Sequence, residues 1–268
     1  MVKRLGKGLC IFAISLCTIL MTACGVSGND DFEYMKQGNI MKVTIQSTRD
    51  KKYKFSVTDE SLINDIYTIL SNAMVVDSKS SLEPDYILEI YESPTEVKTF
   101  NYVAGLDKAD GANLYSDDSY YIVSKRLDTD IIRNFANIRK PIDFEEVYYN
   151  SILKCLNTYK STYKVKDSIG VDIINDSDIA RFQISTDIEK FKKLLGKDNY
   201  KYINSLEESS NAEIIATVKT KGYTNKKYKA IVTIKNNIDG VTMDYYINCI
   251  YNNGQWDISV TEEEPDEF

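Results

Sequence analysis

Residues 41–73, MKVTIQSTRDKKYKFSVTDESLINDIYTILSNA, change their hydrophobic period halfway along. Met41, Val43 and Ile45 alternate with Lys42, Thr44 and Gln46, the period-two pattern of a half-buried strand. Tyr53, Phe55 and Val57 repeat it, with Thr48-Arg49-Asp50 as the turn between. After Thr58 the spacing becomes three and four: Leu62, Ile63, Ile66, Ile69, Leu70 and Ala73 fall on one stripe of a helix. Thr58 or Asp59 supplies the N-cap oxygen. A strand pair followed by a one-faced helix is the start of a sheet with a helix laid across it.

Downstream residues extend the pattern. Strands are expected at Tyr86–Tyr91 and Val97–Val103, bent at Ser93-Pro94, and at Tyr120–Ser124. A second one-faced helix, Asp130–Ile138, shows Ile131, Ile132, Phe135 and Ile138. The order ββαβββα gives an antiparallel sheet with both helices on one face, over residues 40–138. Pro141 disfavours helix at Lys140 and marks a boundary.

A second unit, residues 142–261, opens with a helix from Phe144 to about Tyr163. Val147, Tyr148, Ile152, Cys155, Leu156 and Tyr159 lie on its apolar side. Short β-like pieces follow at Gly170–Ile174 and Ala180–Ile184. Thr186 or Asp187 then caps a helix that ends at Gly196. Strands at Glu213–Gly222, Tyr228–Lys235, Val241–Tyr251 and Gln255–Val260 are joined by hairpin turns, including Asn252-Asn253-Gly254. The chain is thus read as α+β: two domains, each an antiparallel sheet with helices packed on one face. Residues 262–268 form an acidic tail expected to fray.

The N-terminus carries an address. Lys3, Arg4 and Lys7 precede an apolar run, Leu9 to Met21, of signal length and short for a bilayer span. Small residues Thr22 and Ala23 then lead to Cys24. This resembles the lipobox of bacterial lipoproteins, apart from Met21 where Leu is usual. The resemblance implies cleavage of residues 1–23, a diacylglyceryl group (palmitate class) on Cys24, and attachment to the bilayer. Two acyl chains anchor stably where one does not. Residues 24–39, polar and without period, read as a tether reaching about 50 Å when extended. Richness in Lys, Ile, Asn and Tyr, taken with the lipobox, points to a Gram-positive bacterium and the extracytoplasmic face of its cell membrane.

Two further resemblances concern the folded units. In residues 40–138 the capped helix, the Pro84-Asp85-Tyr86 start of a strand, and Tyr120-Tyr121-Ile122 before a closing helix resemble YhfM-like lipoprotein domains. That family brings no assigned chemistry with it. In residues 142–261 the long first helix and the meander ending in Gly254-Gln255-Trp256-Asp257 resemble NTF2-like, or cystatin-like, modules. The implied fold curls a sheet round the helix and can leave a pocket beside Tyr148, Ile152 and Cys155.

Composition excludes several functions. Net charge is −7, and loss of residues 1–23 removes three cations and no acid, so nucleic acid is not an expected partner. The chain contains no histidine, which removes the commonest general base, the Ser-His and Cys-His nucleophiles and most zinc or copper sites. Of five cysteines, only Cys155 and Cys249 remain in folded sequence after the signal peptide and Cys24 are set aside. They either pair as a disulfide or are buried separately as small apolar residues. Ser151-x-x-Lys154 and Ser161-x-x-Lys164 match a Ser-x-x-Lys spacing, but the Lys-Thr-Gly partner is missing, since Lys221 follows Lys219-Thr220. Asp107, Asp110, Asn113, Asp117 and Asp118 cluster beside Gly111 without the offsets of a calcium hand.

The expectation is a lipid-anchored, non-catalytic binding or assembly module of the cell envelope, without cofactor or metal. Its partner would be an envelope protein or wall component. The alternatives are a histidine-independent hydrolase of wall polymers, which needs a carboxylate pair across a cleft, or capture of a small ligand in the second domain.

Overall fold

The computed structural model describes residues 29–36, 38–106, 110–136, 140–266 and 268. The expected signal segment, Cys24 and Asp107 lie outside the described residues. The chain builds two sheets, each with its own hydrophobic core, and is α+β as expected.

The first sheet holds β1 (Lys42–Ser47), β2 (Lys54–Val57), β3 (Met74–Val75), β4 (Tyr86–Tyr91), β5 (Val97–Tyr102), β6 (Leu114–Tyr115) and β7 (Tyr120–Ile122). Their spatial order is β2-β1-β4-β5-β6-β7-β3, antiparallel throughout. Helix α1 (Glu60–Ser71) starts at Asp59, whose carboxylate accepts the Leu62 N–H at 3.0 Å. Its Ile63, Ile66, Ile69 and Leu70 bury against Val43, Ile45, Leu88 and Ile90 of the sheet. Each such side chain contributes about 1.5–3 kcal/mol of burial. The closing helix begins three residues before the expected Asp130, as a π-helical stretch Leu127–Ile132 that runs into α2 (Arg133–Ala136). The wider turn sends both Ile131 and Ile132 into the core.

Part of the expected tether is folded. Asp30–Met35 forms a 3-10 helix capped by Asn29, and Phe32 and Met35 enter the first core. Phe32 packs 5.0 Å from Tyr121 and 5.7 Å from Phe100, ring centre to ring centre. The two apolar residues are three positions apart among acids, a signal too short for periodicity to register.

The second sheet holds β8 (Ile169–Asp172), β9 (Tyr200–Tyr202), β10 (Ile214–Thr224), β11 (Lys227–Asn236), β12 (Thr242–Asn252) and β13 (Gln255–Thr261). Their order is β13-β12-β11-β10-β8-β9. The four long strands are an antiparallel meander, whereas β8 joins β10 and β9 in parallel. A parallel return needs a crossover, and α4 (Ser185–Lys197) lies between β8 and β9. Helix α3 (Phe144–Tyr163), at its expected position, lays its apolar side on β11, β12 and β13. A short helix, α5 (Leu206–Asn211), precedes β10. The β12–β13 hairpin turns on Asn253 (φ 51°) and Gly254 (φ 85°), the two positive φ values of a type I′ turn, as the Asn-Asn-Gly signal predicts.

Three local expectations in this unit are corrected. Ala180–Ile184 is not a strand: Ala180–Phe182 is a 3-10 turn that drives Phe182 into the core beside Phe144. Helix α4 begins at Ser185 without a cap from its own side chains. Gly196 lies inside its last turn, and the left-handed residue that follows the helix is Asn199.

Candidate functional site

The two units meet along a polar seam. At its centre Asp85, the residue after Pro84 at the start of β4, is almost wholly buried, and its acceptors point across the boundary. Its carboxylate accepts the Ala104 N–H at 2.8 Å within the first unit and the Ser185 N–H at 2.7 Å in the second. The first unit thus supplies the N-terminal cap that α4 lacks locally. Arg49, from the turn between β1 and β2, donates to Asp85, to Ser185 Oγ at 2.6 Å and to the Gln183 carbonyl at 3.3 Å. Ser185 Oγ donates onward to the Glu83 carbonyl at 2.7 Å, and Thr186 Oγ1 to that of Ala104 at 3.2 Å. Burial raises the Asp85 carboxyl above its ordinary value, opposed by the Arg49 charge and the two N–H donors.

Open clefts flank this node. One, of about 450 Å³, runs between Ser81, Leu82 and Asp110 on one side and Glu189 and Lys193 on the other. A second, of about 510 Å³, shares Gly105, Thr186 and Lys190 with the first and continues to Asp128, Arg133 and Lys140. Cations and acids alternate along it. Arg133 binds Asp128 at 3.1 Å, and Lys190 binds Asp187 at 2.9 Å. Lys140 has no hydrogen bond or ion pair among the described residues; its ammonium lies 5.4 Å from the Phe144 ring centre and 5.9 Å from that of Phe182. Burial lowers its pKa, with Glu145 pulling the other way. Burial likewise raises Asp128, against the pull of Arg133.

A second polar node lies inside the second core. Asp176, 2 % exposed, accepts from Tyr148 Oη at 3.0 Å and from the Thr220 N–H and hydroxyl at 2.9 and 2.8 Å. The Tyr228 hydroxyl lies 3.2 Å from Thr220 Oγ1. Burial raises this carboxyl, opposed by the donors of Thr220 and Tyr148. The node joins the loop after β8 to α3 and to β10 beside its bulge.

The residues singled out from sequence go to structural tasks. Cys155 and Cys249 are free, buried thiols, so the disulfide option is not realised; each packs separately in the second core, and burial pushes both up to about 12. Ser151 is fully buried and donates to the Tyr148 carbonyl, while Lys154 reaches the Ile258 carbonyl; Ser161 donates to the Thr158 carbonyl. Tyr148, Ile152 and Cys155 are fully buried, and the space beside Tyr148 is taken by Phe144, Tyr149 and Tyr228. Asn113 is turned inward to clamp the Val123 N–H and carbonyl, and Asp117 and Asp118 sit in the turn between β6 and β7. Among the described residues no group of three or more Asp, Glu, Cys or His side chains is placed to hold a metal ion, and no helix is long and apolar enough to cross a membrane.

The seam was not foreseen. Arg49 reads locally as a turn residue and Asp85 as a strand start; their partners across the seam, Gln183 and Ser185, lie 100 to 136 residues away, beyond the reach of any local signal.

An α+β body of two sheets joined by a buried carboxylate is the class that the structure defines. Within it, residues 36–141 match the model of the YhfM protein family, so the first unit is YhfM-like. The matched stretch takes in all of the first sheet, α1 and the closing helix, and leaves out the 3-10 helix Asp30–Met35. No curated protein and no solved structure matches the chain.

Proposed function

We propose that this chain is a lipid-anchored lipoprotein on the extracytoplasmic face of a Gram-positive cell membrane, where it binds an envelope protein or wall component without catalysing a reaction. The seam carries the reading. Its clefts are open and charged, and Asp85, Arg49 and Ser185 between them are engaged in holding the two units together. The lipobox at Cys24 and the YhfM-like first unit support the setting, and the packing of α3 into a curled meander supports an NTF2-like second unit. Because Asn29 is already hydrogen-bonded to Ser71, only about four residues separate Cys24 from the folded body, roughly 15–20 Å of chain. On this reading the body stands close to the bilayer and presents the seam as a fixed surface.

One observation favours the hydrolase alternative: Asp128 and Asp187 line the same cleft, and the first has a raised pKa. A photo-cross-linking amino acid at exposed Lys193, on the seam, separates the two readings in intact cells. The binding reading expects discrete adducts from position 193, few from exposed Glu33, and no change on Asp128→Asn. Absence of adducts, with loss of a wall-degrading activity in Asp128→Asn, would favour hydrolysis.

A further inference from the structure

The outer face of the second sheet is basic in an acidic chain. Strand register stacks its outward residues in rows: Ile215, Lys235 and Thr242; Thr217, Thr233 and Asp244; Lys219, Ile231, Tyr246 and Thr261; then Lys229, Asn248 and Ser259. Lys221 stands exposed at the β10 bulge, and Lys227 begins β11. Over the four long strands five lysines therefore share this face with Asp244 and Asp257; Asp244 accepts from Thr233 at 2.6 Å, and Asp172 of β8, in the same row, is buried and accepts from the Ile174 N–H and Ser209. Lys219, Lys221, Lys227 and Lys235 are exposed and make no ion pair among the described residues, although the chain's net charge is −7.

The acidic tail does not simply fray. Glu262 accepts from Tyr245 Oη at 2.9 Å, and Thr261 Oγ1 donates to the Glu263 carbonyl. The Phe268 N–H donates to the Pro265 carbonyl, which folds the end of the chain back. The Phe268 ring then stands edge-on to Tyr246, 5.0 Å between centres, with the Lys229 ammonium 5.7 Å from it. The Phe268 ring is thus seated over Tyr246 beside Lys229, at the end of an acidic stretch.

We propose that this lysine face is a docking surface for an acidic, aromatic-bearing peptide segment of a partner protein, and that residues 262–268 of this chain occupy it as a tethered competitor. Three features of the face argue for a peptide: ladder-spaced cations match carboxylates at alternate positions, Tyr246 offers a ring for one aromatic side chain, and the occupant already present is of this kind. A tethered segment acts at an effective concentration on the order of millimolar, so a free segment must bind more tightly than the tail or arrive when the tail is displaced. The surface belongs to the second unit alone and does not depend on the anchor or the seam.

The test uses a fluorescent synthetic peptide of residues 262–268, Glu-Glu-Glu-Pro-Asp-Glu-Phe, and its anisotropy with purified full chain or chain lacking residues 264–268. The shortened chain is expected to bind about tenfold more tightly than the full chain, with affinity falling as salt rises from about 50 to 300 mM. Lys219→Glu with Lys229→Glu should abolish binding, and Lys235→Glu, two rows away, should weaken it severalfold while Trp256 fluorescence reports an intact fold. Equal affinity for both chains would overturn the proposal. So would binding indifferent to lysine reversal, or binding of anionic phosphatidylglycerol vesicles by the shortened chain without binding of the peptide.

Discussion

Replacing Asp85 by Ala removes one acceptor from both units at once. The Ala104 and Ser185 N–H groups lose their only side-chain partner in a site closed to solvent. Each stranded donor costs about 1–3 kcal/mol. Arg49, whose side chain is 21 % exposed, keeps Ser185 Oγ and the Gln183 carbonyl but loses its counter-charge. Removing one partner of a buried ion pair costs about 3–5 kcal/mol in all; because these losses share one carboxylate, the expected total is about 4 kcal/mol rather than their sum. That is a large fraction of the stability of an ordinary domain. Urea unfolding followed at two wavelengths is the assay. Trp256, the only tryptophan, sits in the second unit and donates to the Ile142 carbonyl at 2.8 Å, whereas far-ultraviolet dichroism reports both sheets. Wild type should unfold with coincident transitions. Asp85→Ala should shift the midpoint down and separate them, the tryptophan signal leading, because α4 also loses its cap. Glu83→Ala is the control: only its backbone carbonyl takes part, so the change should be under about 0.5 kcal/mol. A cost below about 1 kcal/mol for Asp85→Ala, with coincident transitions, would refute the seam as a coupling element.

Other substitutions test the rest of the account. Asp176→Asn should raise stability at neutral pH and flatten its pH dependence. A carboxyl raised by burial binds its proton more tightly when folded, so its contribution is full below about pH 4 and is lost as pH rises through the folded value; denaturation at a series of pH values would show a wild-type slope that the variant lacks. Gly170→Ala should cost about 1–3 kcal/mol, since its new Cβ would stand 2.8 Å from Ile203 Cδ1 in packed surroundings; thermal melts measure it, and an unchanged melting temperature would contradict the packing. Neither Cys155 nor Cys249 should react with a thiol reagent in the native chain at pH 8, and both should react after unfolding; fast native labelling would contradict their burial and raised pKa.

Much of the architecture could be read locally. Period-two runs at Val43–Ile45 and Tyr53–Val57, the Asp59 cap and the stripe from Ile63 to Leu70 each carry their own signal, and all fall where periodicity puts them. The long α3 and the four-strand meander did so too, helped by Asn253-Gly254. What escaped is non-local. Ala180–Ile184 alternates like a strand, but the demand of the core for Phe182 turns it into a 3-10 coil. Thr186 and Asp187 look like caps, yet Asp85 takes that task from across the seam. Phe32 and Met35 form too short a pattern to distinguish from a tether, and the tail's fold rests on tertiary contacts, Glu262 with Tyr245 and Phe268 with Tyr246. The candidate site suffers most from this limit, because the seam is made of residues whose partners are set by tertiary packing alone.

The proposed anchor sets where the chain works, and intact-mass analysis of the protein extracted from membranes of its own cells tests it most directly. The account predicts a chain beginning at Cys24 and carrying a diacylglyceryl group, with Cys24→Ala leaving the signal segment uncleaved. A soluble chain of full length, or one starting at another residue without lipid, would contradict it.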